Sequence, residues 1–373
     1  MKGYKFRIYP TKEQQNMIWK NIYGAKEAYN WTIARRKEML ETGVRFQKGR
    51  SDLRNEFSSH KKTLNSHSNR KTAPAKYAWN HAVDEANATF DKFGKRAKFR
   101  TRKNWNHMQY KDYLDKGVFE VGTSGFKLSK VGWVKAKVDV TQFMGKKLQN
   151  VRIKYNGLHY TVSFSTGVES QDNVKSNTEA IGIDLGVKTF ATCSNGWVEK
   201  SPSKDKYNKR MARLQRKADK RYKSMTKGQK KSKRLLKLEK QILKTHKKIA
   251  NIQDTFIHGF TNKLIQQNPE KIVIEDIKYS EWSKDRHKKQ QVSQDKFFEF
   301  RRQLEYKCKW YGIELIFANK WFASTQTCSA CGNRKRGKNK LQRNERAYTC
   351  GCGLVMDRDF NASINLKNYA PLR

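Results

Sequence analysis

The sequence predicts an α+β multidomain protein: a small N-terminal β-barrel with a helical segment inserted into it, then an α/β domain carrying a metal-binding hairpin. Three observations predict it. An alternating strand at the start is followed by aromatic-rich helical stretches and then by a run of alternating strands. From residue 180 onward, acid-tipped apolar strands alternate with helical patterns. Four cysteines fall within residues 328–352 as two close pairs.

Charge narrows the partners. The 373 residues hold 81 Lys and Arg against 34 Asp and Glu, a formal net charge of +47. Self-repulsion of that size is tolerated where a polyanion neutralises it in use, and the charge runs through the whole chain with no apolar amphipathic anchor beside it. Nucleic acid is the expected partner and a membrane is not. Nineteen Phe, sixteen Tyr and nine Trp supply packed cores, so this is not the composition of a disordered chain. No apolar run approaches the roughly 20 residues that cross a bilayer, and residues 1–6 lack the apolar core of a signal peptide. Clustered cysteines suit a reducing compartment and a metal site, so a cytoplasmic location is expected. Cys193 and Cys308, alone in apolar surroundings, read as core residues.

In the first strand Tyr4, Phe6 and Ile8 share one face. Thr11 and Gln14 form a capping-box pattern behind Pro10, and Ile18, Ile22, Ala25 and Tyr29 follow at helical spacing. Helices continue to about residue 90, the last starting near Tyr77, with most aromatics expected in the core. Within 96–110, Lys98, Arg100, Arg102, Lys103 and Trp105 interleave cations with an aromatic face, which suits phosphates and unpaired bases. Residues 118–121 and 133–140 alternate as strands, and 151–164 form a hairpin around Asn156-Gly157. The barrel is therefore assigned to 1–10 and 111–170, the helical insert to 11–110, and a polar linker to 171–179.

Residues 180–198 read as three strands in a hairpin series, with Asp184 at the end of the first, between Gly182 and Gly186. A carboxylate there is costly to bury without a cation or partner, and the glycines allow close approach. Residues 203–250 hold twenty Lys and Arg to three acids, Arg213, Arg216 and Lys217 among them, as in a segment lying along a phosphate backbone. Helical periodicity emerges from Leu235 to Leu264. A strand at 271–277 ends in Glu275 and Asp276; 284–291 is a basic loop, 297–311 a helix, 313–317 a strand. A last short helix opens at Asp357-Arg358-Asp359.

That order is the order of an RNase H-like domain, in which acids on the first and fourth strands and at a late helix start converge on one sheet edge. Cutting a phosphodiester calls for an activated water and a stabilised leaving oxygen, which two Mg²⁺ ions about 4 Å apart provide when carboxylates share them. Asp184, Glu275 and Asp359 are the expected set, with Asp357 a rival or auxiliary to Asp359. Asp276 follows the Ile272/Ile274 face and is the weaker candidate on its strand. Cys328-x-x-Cys331 and Cys350-x-Cys352 read as four thiolate ligands of a structural Zn²⁺, the second pair tighter than usual.

Tyr4-Lys5-Phe6-Arg7-Ile8-Tyr9-Pro10-Thr11-Lys12-Glu13-Gln14, Gly182-Ile183-Asp184-Leu185-Gly186, Ile274-Glu275-Asp276, Ser324-x-x-x-Cys328-Ser329-x-Cys331-Gly332 and Asp357-Arg358-Asp359-x-Asn361-Ala362 together resemble the TnpB proteins encoded by insertion sequences. The resemblance spans almost the whole chain and is most specific in its C-terminal half. It implies a β-barrel wedge domain, a helical recognition domain and a RuvC nuclease domain over 180–373, with the zinc-binding insert at 320–356. It implies an RNA-guided DNA endonuclease related to compact type V CRISPR effectors, with guide RNA and double-stranded target DNA as partners, Asp184, Glu275 and Asp359 on Mg²⁺, and the four cysteines on Zn²⁺. Two departures stand out: Cys350-x-Cys352 is one residue short of the usual family spacing, and Gln253 and Thr255 stand where the family often has Arg and Asp.

The expected activity is cleavage beside a short flanking motif, the guide supplying sequence recognition and one site cutting both strands in turn. A monomer is favoured. Two other functions fit parts of the pattern: a nuclease-inactive RNA-guided repressor, and an unguided transposase or resolvase.

Overall fold

The computed structural model describes residues 2–43, 50–64, 75–101, 104–110, 117–167, 179–226, 228–276, 295–342 and 345–370. The basic loop expected at 284–291, and all of the expected linker except Glu179, lie outside them. The chain forms two compact units, Met1–Glu169 and Ser170–Arg373.

In the first unit, β1 (Lys2–Tyr9) leads into α1 (Lys12–Glu41), α2 (Arg50–His60) and α3 (Lys76–Phe93) before the remaining strands begin. The capping box forms: the Gln14 amide donates to Thr11 Oγ1 and the Thr11 amide to Gln14 Oε1. Ile18, Ile22, Ala25 and Tyr29 are all fully buried, as the helical spacing requires. β2 (His107–Tyr110), β3 (Phe119–Gly122), β4 (Gly125–Leu128), β5 (Gly132–Ala136), β6 (Leu148–Tyr155) and β7 (Tyr160–Thr166) join β1 in one seven-stranded sheet, ordered β2-β6-β7-β1-β5-β4-β3. Every ladder in it is antiparallel. Among the described residues no ladder joins β2 to β3, so the seven strands form an open order rather than a closed ring. Asn156 and Gly157 turn β6 into β7, with Gly157 at φ 87°. A cluster of Phe6, Phe126, Phe143 and Phe164 fills one face of the sheet. Residues 165 and 166 belong to β7, pairing with both β1 and β6.

The second unit is built on a five-stranded sheet ordered β10-β9-β8-β11-β12. β8 (Ile181–Leu185), β9 (Ala191–Cys193) and β10 (Val198–Glu199) are antiparallel, whereas β8, β11 (Lys271–Glu275) and β12 (Glu314–Ala318) are parallel. Between β10 and β11 stand two helices, α4 (Asp205–Lys223) and α5 (Lys233–Gln266). Sequence periodicity indicates only the second, because α4 buries just Met211, Leu214 and Ala218 and is otherwise polar. α6 (Phe297–Tyr311) precedes β12, a hairpin of β13 (Ala347–Thr349) and β14 (Val355–Asp357) follows, and α7 (Arg358–Lys367) closes the unit.

Strand alternation sorts the sheet's two faces. Ile181, Ile183, Ile272 and Ile274 pack with Ile257, Phe260 and Leu264 of α5 and Phe300 and Leu304 of α6. On the opposite face, Val273 and Ala318 pack with Leu366 of α7. Cys193 and Cys308 lie in the larger core, where burial pushes both thiols up to about 12, which makes them inert packing residues. Among the described residues, no helix is long and apolar enough to cross a membrane.

Candidate functional site

Asp184 and Glu275 take the α7 face for a reason written in the strand period. Asp184 shares parity with Gly182 on β8, and Glu275 with Val273 on β11, so both carboxylates leave the sheet on the side where α7 packs. Gly182 lets the helix come close. A β-carbon there would overlap the Ser363 carbonyl oxygen and the Lys367 amide nitrogen, so backbone rests directly on backbone. The start of α7, with Asp359, is thereby brought beside the strand ends.

The electrostatics record the convergence. Burial raises the Asp184 carboxyl well above its ordinary range, and the charges of Glu275, Asp359 and Asp357 raise it further, opposed by Arg358. Glu275 is raised by burial and partly restored by a hydrogen bond from the Ser324 hydroxyl. Asp359 is held by Arg346 Nη1 at 2.8 Å and by Arg358 Nε at 3.4 Å. Asp357 plays a separate part: its Oδ1 accepts from the amides of Asp359 (2.8 Å) and Phe360 (3.0 Å), capping α7. Asp357, Asp359 and Arg346 line a cleft of about 620 Å³ with Lys188 and Lys200. Asp276 is exposed and paired with Arg301, so it faces solvent and not the core or cap that strand parity suggested. A divalent cation among Asp184, Glu275 and Asp359 would relieve the mutual repulsion that holds Asp184 up, and hard oxygen donors are what Mg²⁺ accepts. The donor type suits such an ion, while among the described residues the four cysteines are the group whose ligand atoms already stand within 4.8 Å of one another.

The cysteines form the second centre. All four sulfurs lie within 4.8 Å of one another, with Cys328–Cys352 at 3.7 Å and Cys331–Cys350 at 3.6 Å. Thiolates about 2.3 Å from a tetrahedral Zn²⁺ stand about 3.8 Å apart, so the cluster fits zinc. The short second pair is accommodated by a tighter turn. The first knuckle closes with Cys328 N donating to Asn333 O and Gly332 N to Cys328 O; the second closes one residue sooner, Cys350 N to Leu354 O and Gly353 N to Cys350 O. Gly332 and Gly353, at φ 73° and 92°, end the two turns. Tyr348 fills the hairpin's small core with Cys328 and Leu341.

The two centres are tied together. Asn361 Oδ1 accepts from the Ser329 amide and its Nδ2 donates to Thr327 O, while Asn365 Nδ2 donates to the carbonyls of Ser324 and Thr327. Two asparagines one turn apart thus bind α7 to the segment that carries Ser324 into the first knuckle. Their i,i+4 spacing is the signal by which sequence could have flagged them. Arg346 carries no such signal, being one cation among many in a basic hairpin.

The expected nucleic-acid contacts divide. Arg213, Arg216 and Lys217 are exposed on α4, and Lys98 is exposed in the first unit. Arg100 is half-buried with its guanidinium over Tyr29. Trp105 is corrected: it is 2% exposed, packed on Tyr29 and His107, and is a core residue with no face left for a base. Arg102 and Lys103 lie outside the described residues. Gln253 is also interior. It accepts from Ser201 and donates to Asp295 O, beside a buried Lys204–Asp295 pair, so the departure at 253 falls in the core of the unit and touches no nucleic-acid surface.

Three family models match: "Helix-turn-helix domain" over residues 1–44, "Probable transposase" of the OrfB/IS605 type over 163–285, and "Cas12f1-like, TNB domain" over 297–366. The first match falls on β1 and the single continuous helix α1. A Streptomyces pristinaespiralis protein named "Putative RNA-guided DNA endonuclease" is 34% identical over 51% of this chain and 44% of its own, so the aligned part spans less than half of that relative. An Escherichia coli K12 protein named "Putative RNA-guided DNA endonuclease InsQ" is 26% identical over 98% of this chain and 90% of its own. "TnpB-like protein L79" of Acanthamoeba polyphaga mimivirus is 25% identical over 97% of this chain and 72% of its own. Acids, cysteines and matched models fall in the same order along one sequence, and the chain is similar over nearly its whole length to RNA-guided endonuclease-named and TnpB-like relatives.

Proposed function

We propose that the protein is an RNA-guided DNA endonuclease that cuts double-stranded DNA beside a short flanking motif at a single carboxylate site. The observation that carries this is the convergence of Asp184, Glu275 and Asp359 on the α7 face, with Asp184 raised by burial and by its neighbours' charge. The sheet order and the helix positions support an RNase H-like, RuvC-type domain, and the first unit supports a wedge sheet with a helical recognition insert. Asp184, Glu275 and Asp359 would hold two Mg²⁺ ions, which when bound would supply an activated water and charge neutralisation at the leaving oxygen. The four cysteines would hold a structural Zn²⁺.

The chain's own residues do the rest. Ser324 orients Glu275, Asp357 caps α7 so that Asp359 is held at the helix start, and the asparagine pair keeps that helix against the zinc hairpin. The exposed cations of α4, with Lys98 and Arg100 in the first unit, would bind phosphates of the guide RNA and its DNA partner. Strong salt dependence is the expected signature. The assembly is read as cytoplasmic and monomeric in protein.

The test is to sequence the RNA that co-purifies and to supply DNA matching its variable end. Cleavage that requires Mg²⁺ and the matching DNA, and that Asp184→Ala abolishes while RNA and target binding persist, is the expected outcome. Sequence-specific cleavage after complete removal of RNA would instead make the protein an unguided nuclease.

A further inference from the structure

The strand β12 ends at Ala318, the register partner of Glu275, and the chain then makes a tight turn before reaching Ser324. The turn is rigid. Asn319 N donates to the Tyr369 hydroxyl, Asn319 Oδ1 accepts from Trp321 N, and Phe322 N donates to Asn319 O. Phe322 packs edge-on against Tyr369 at 4.9 Å. On the tip of this well-anchored turn stands Trp321, 76% exposed, the most exposed of the large apolar side chains in the structure's described part. Among the described residues, the indole's cationic companion is Lys320, whose ammonium lies 4.7 Å from the ring centroid. Leaving so large an aromatic surface in water on a fixed backbone has no packing rationale.

We infer that Trp321 is a stacking platform for an unpaired base of the DNA strand presented to the acid site. An indole face accepts any base without reading its sequence, and a lysine on the ring suits the adjoining phosphate. Position commits the platform to the strand being cut. Trp321 lies three residues from both Glu275's register partner and Ser324, so it is within about 10 Å of chain reach from each. A nucleotide stacked there is close enough along the strand to fix the phosphate that arrives at the carboxylates. The guide RNA, which must stay away from those carboxylates to survive, is the disfavoured occupant. This reading rests on the proposed nuclease, and it makes Trp321 a positioning residue whose side chain touches substrate without taking part in the chemistry.

The experiment uses the full chain with its co-purified RNA and the Asp184→Asn substitution, which keeps bound DNA intact. A target oligodeoxynucleotide complementary to the RNA's variable end, with 5-iododeoxyuridine placed successively in its unpaired tail, is irradiated and the cross-linked peptide mapped. Cross-linking of one or two adjacent tail positions to Trp321 is expected. In the Asp184-containing protein, Trp321→Leu should slow cleavage about tenfold or more and blur the cut position, while Trp321→Phe retains most of both. Zinc content and RNA yield should stay unchanged in each variant, which separates lost stacking from lost folding. Cross-links from the guide RNA in place of the DNA, no cross-link to Trp321, or a Trp321→Leu enzyme that cuts at the original rate and position would overturn the assignment. The cross-link is read in a complex that cannot cut, so it fails or succeeds independently of the cleavage reading.

Discussion

The Ser324 hydroxyl donates its hydrogen bond to the Glu275 carboxylate, across 49 residues of sequence. Burial raises Glu275 and this bond lowers it again. Ser324→Ala removes the lowering part, so Glu275 should stay protonated to higher pH. The acid limb of the cleavage–pH profile should move upward, with a loss of about tenfold below neutrality that recovers at alkaline pH. An equal loss at every pH would assign Ser324 a purely structural part.

Asp184 and Glu275 are both raised in the folded state. A group of this kind binds its proton more tightly folded than unfolded. The stability it contributes is therefore present in acid and disappears as pH rises through its folded value. Without divalent ions, the unfolding temperature should fall from mildly acidic to neutral pH, and Mg²⁺ should restore it at neutral pH but not in acid. Asp184→Asn should flatten both dependences in a thermal melt.

Asp357 and Asp359 should separate cleanly. Asp359→Asn removes a carboxylate from the converging set and should reduce cleavage by a factor of a thousand or more, on the scale of losing a metal-holding acid. Asp357→Asn keeps a capping oxygen and should cut within about tenfold of the parent, whereas Asp357→Ala loses the cap and about 1 kcal/mol of helix stability. Cleavage rates and thermal melts of the three variants check this ordering.

Gly182→Ala places a methyl group into the backbone of α7. The helix must move away from β8, taking Asp359 with it. Cleavage should fall by at least a hundredfold, with a destabilisation of about 1–3 kcal/mol, typical of overpacking. RNA retention should survive, since the clash lies in the packing of β8 against α7 inside the second unit. Wild-type cleavage in Gly182→Ala would mean that α7 is not held as closely as its packing indicates.

Stripping zinc should disable the acid site without touching it. The knuckle segment holds Asn361 and Asn365 on one side and Ser324 on the other. Chelation, or Cys352→Ser, should abolish one equivalent of bound zinc and most cleavage, and added Mg²⁺ should not rescue it. Metal analysis paired with a cleavage assay reads the outcome.

What was legible in the sequence was whatever periodicity or spacing encodes. Ile18, Ile22, Ala25 and Tyr29 announce a buried helix face, and the parity of Glu275 with Val273 places its carboxylate on the α7 side of β11. What was not legible depends on tertiary partners. Trp105 sits among cations in the sequence and is nevertheless interior, because Tyr29 and His107 close over it. α4 hides in a basic tract because three apolar residues suffice to dock it on its neighbour. Asp276 departs from its strand's face because the strand has ended by that residue, leaving Arg301 to pair it.

Asp184 is an electrostatic burden on the fold that carries it: buried, beside three other carboxylates, and set in a strand buried along its whole length. A neutral side chain of the same shape would suit that position better in everything except the reaction. Loss of activity at this residue is thus downhill for folding, and a copy freed from selection for cutting would be disarmed here without becoming harder to fold. Under the proposed function, an intact Asp184 is a residue that costs the fold and serves the cut.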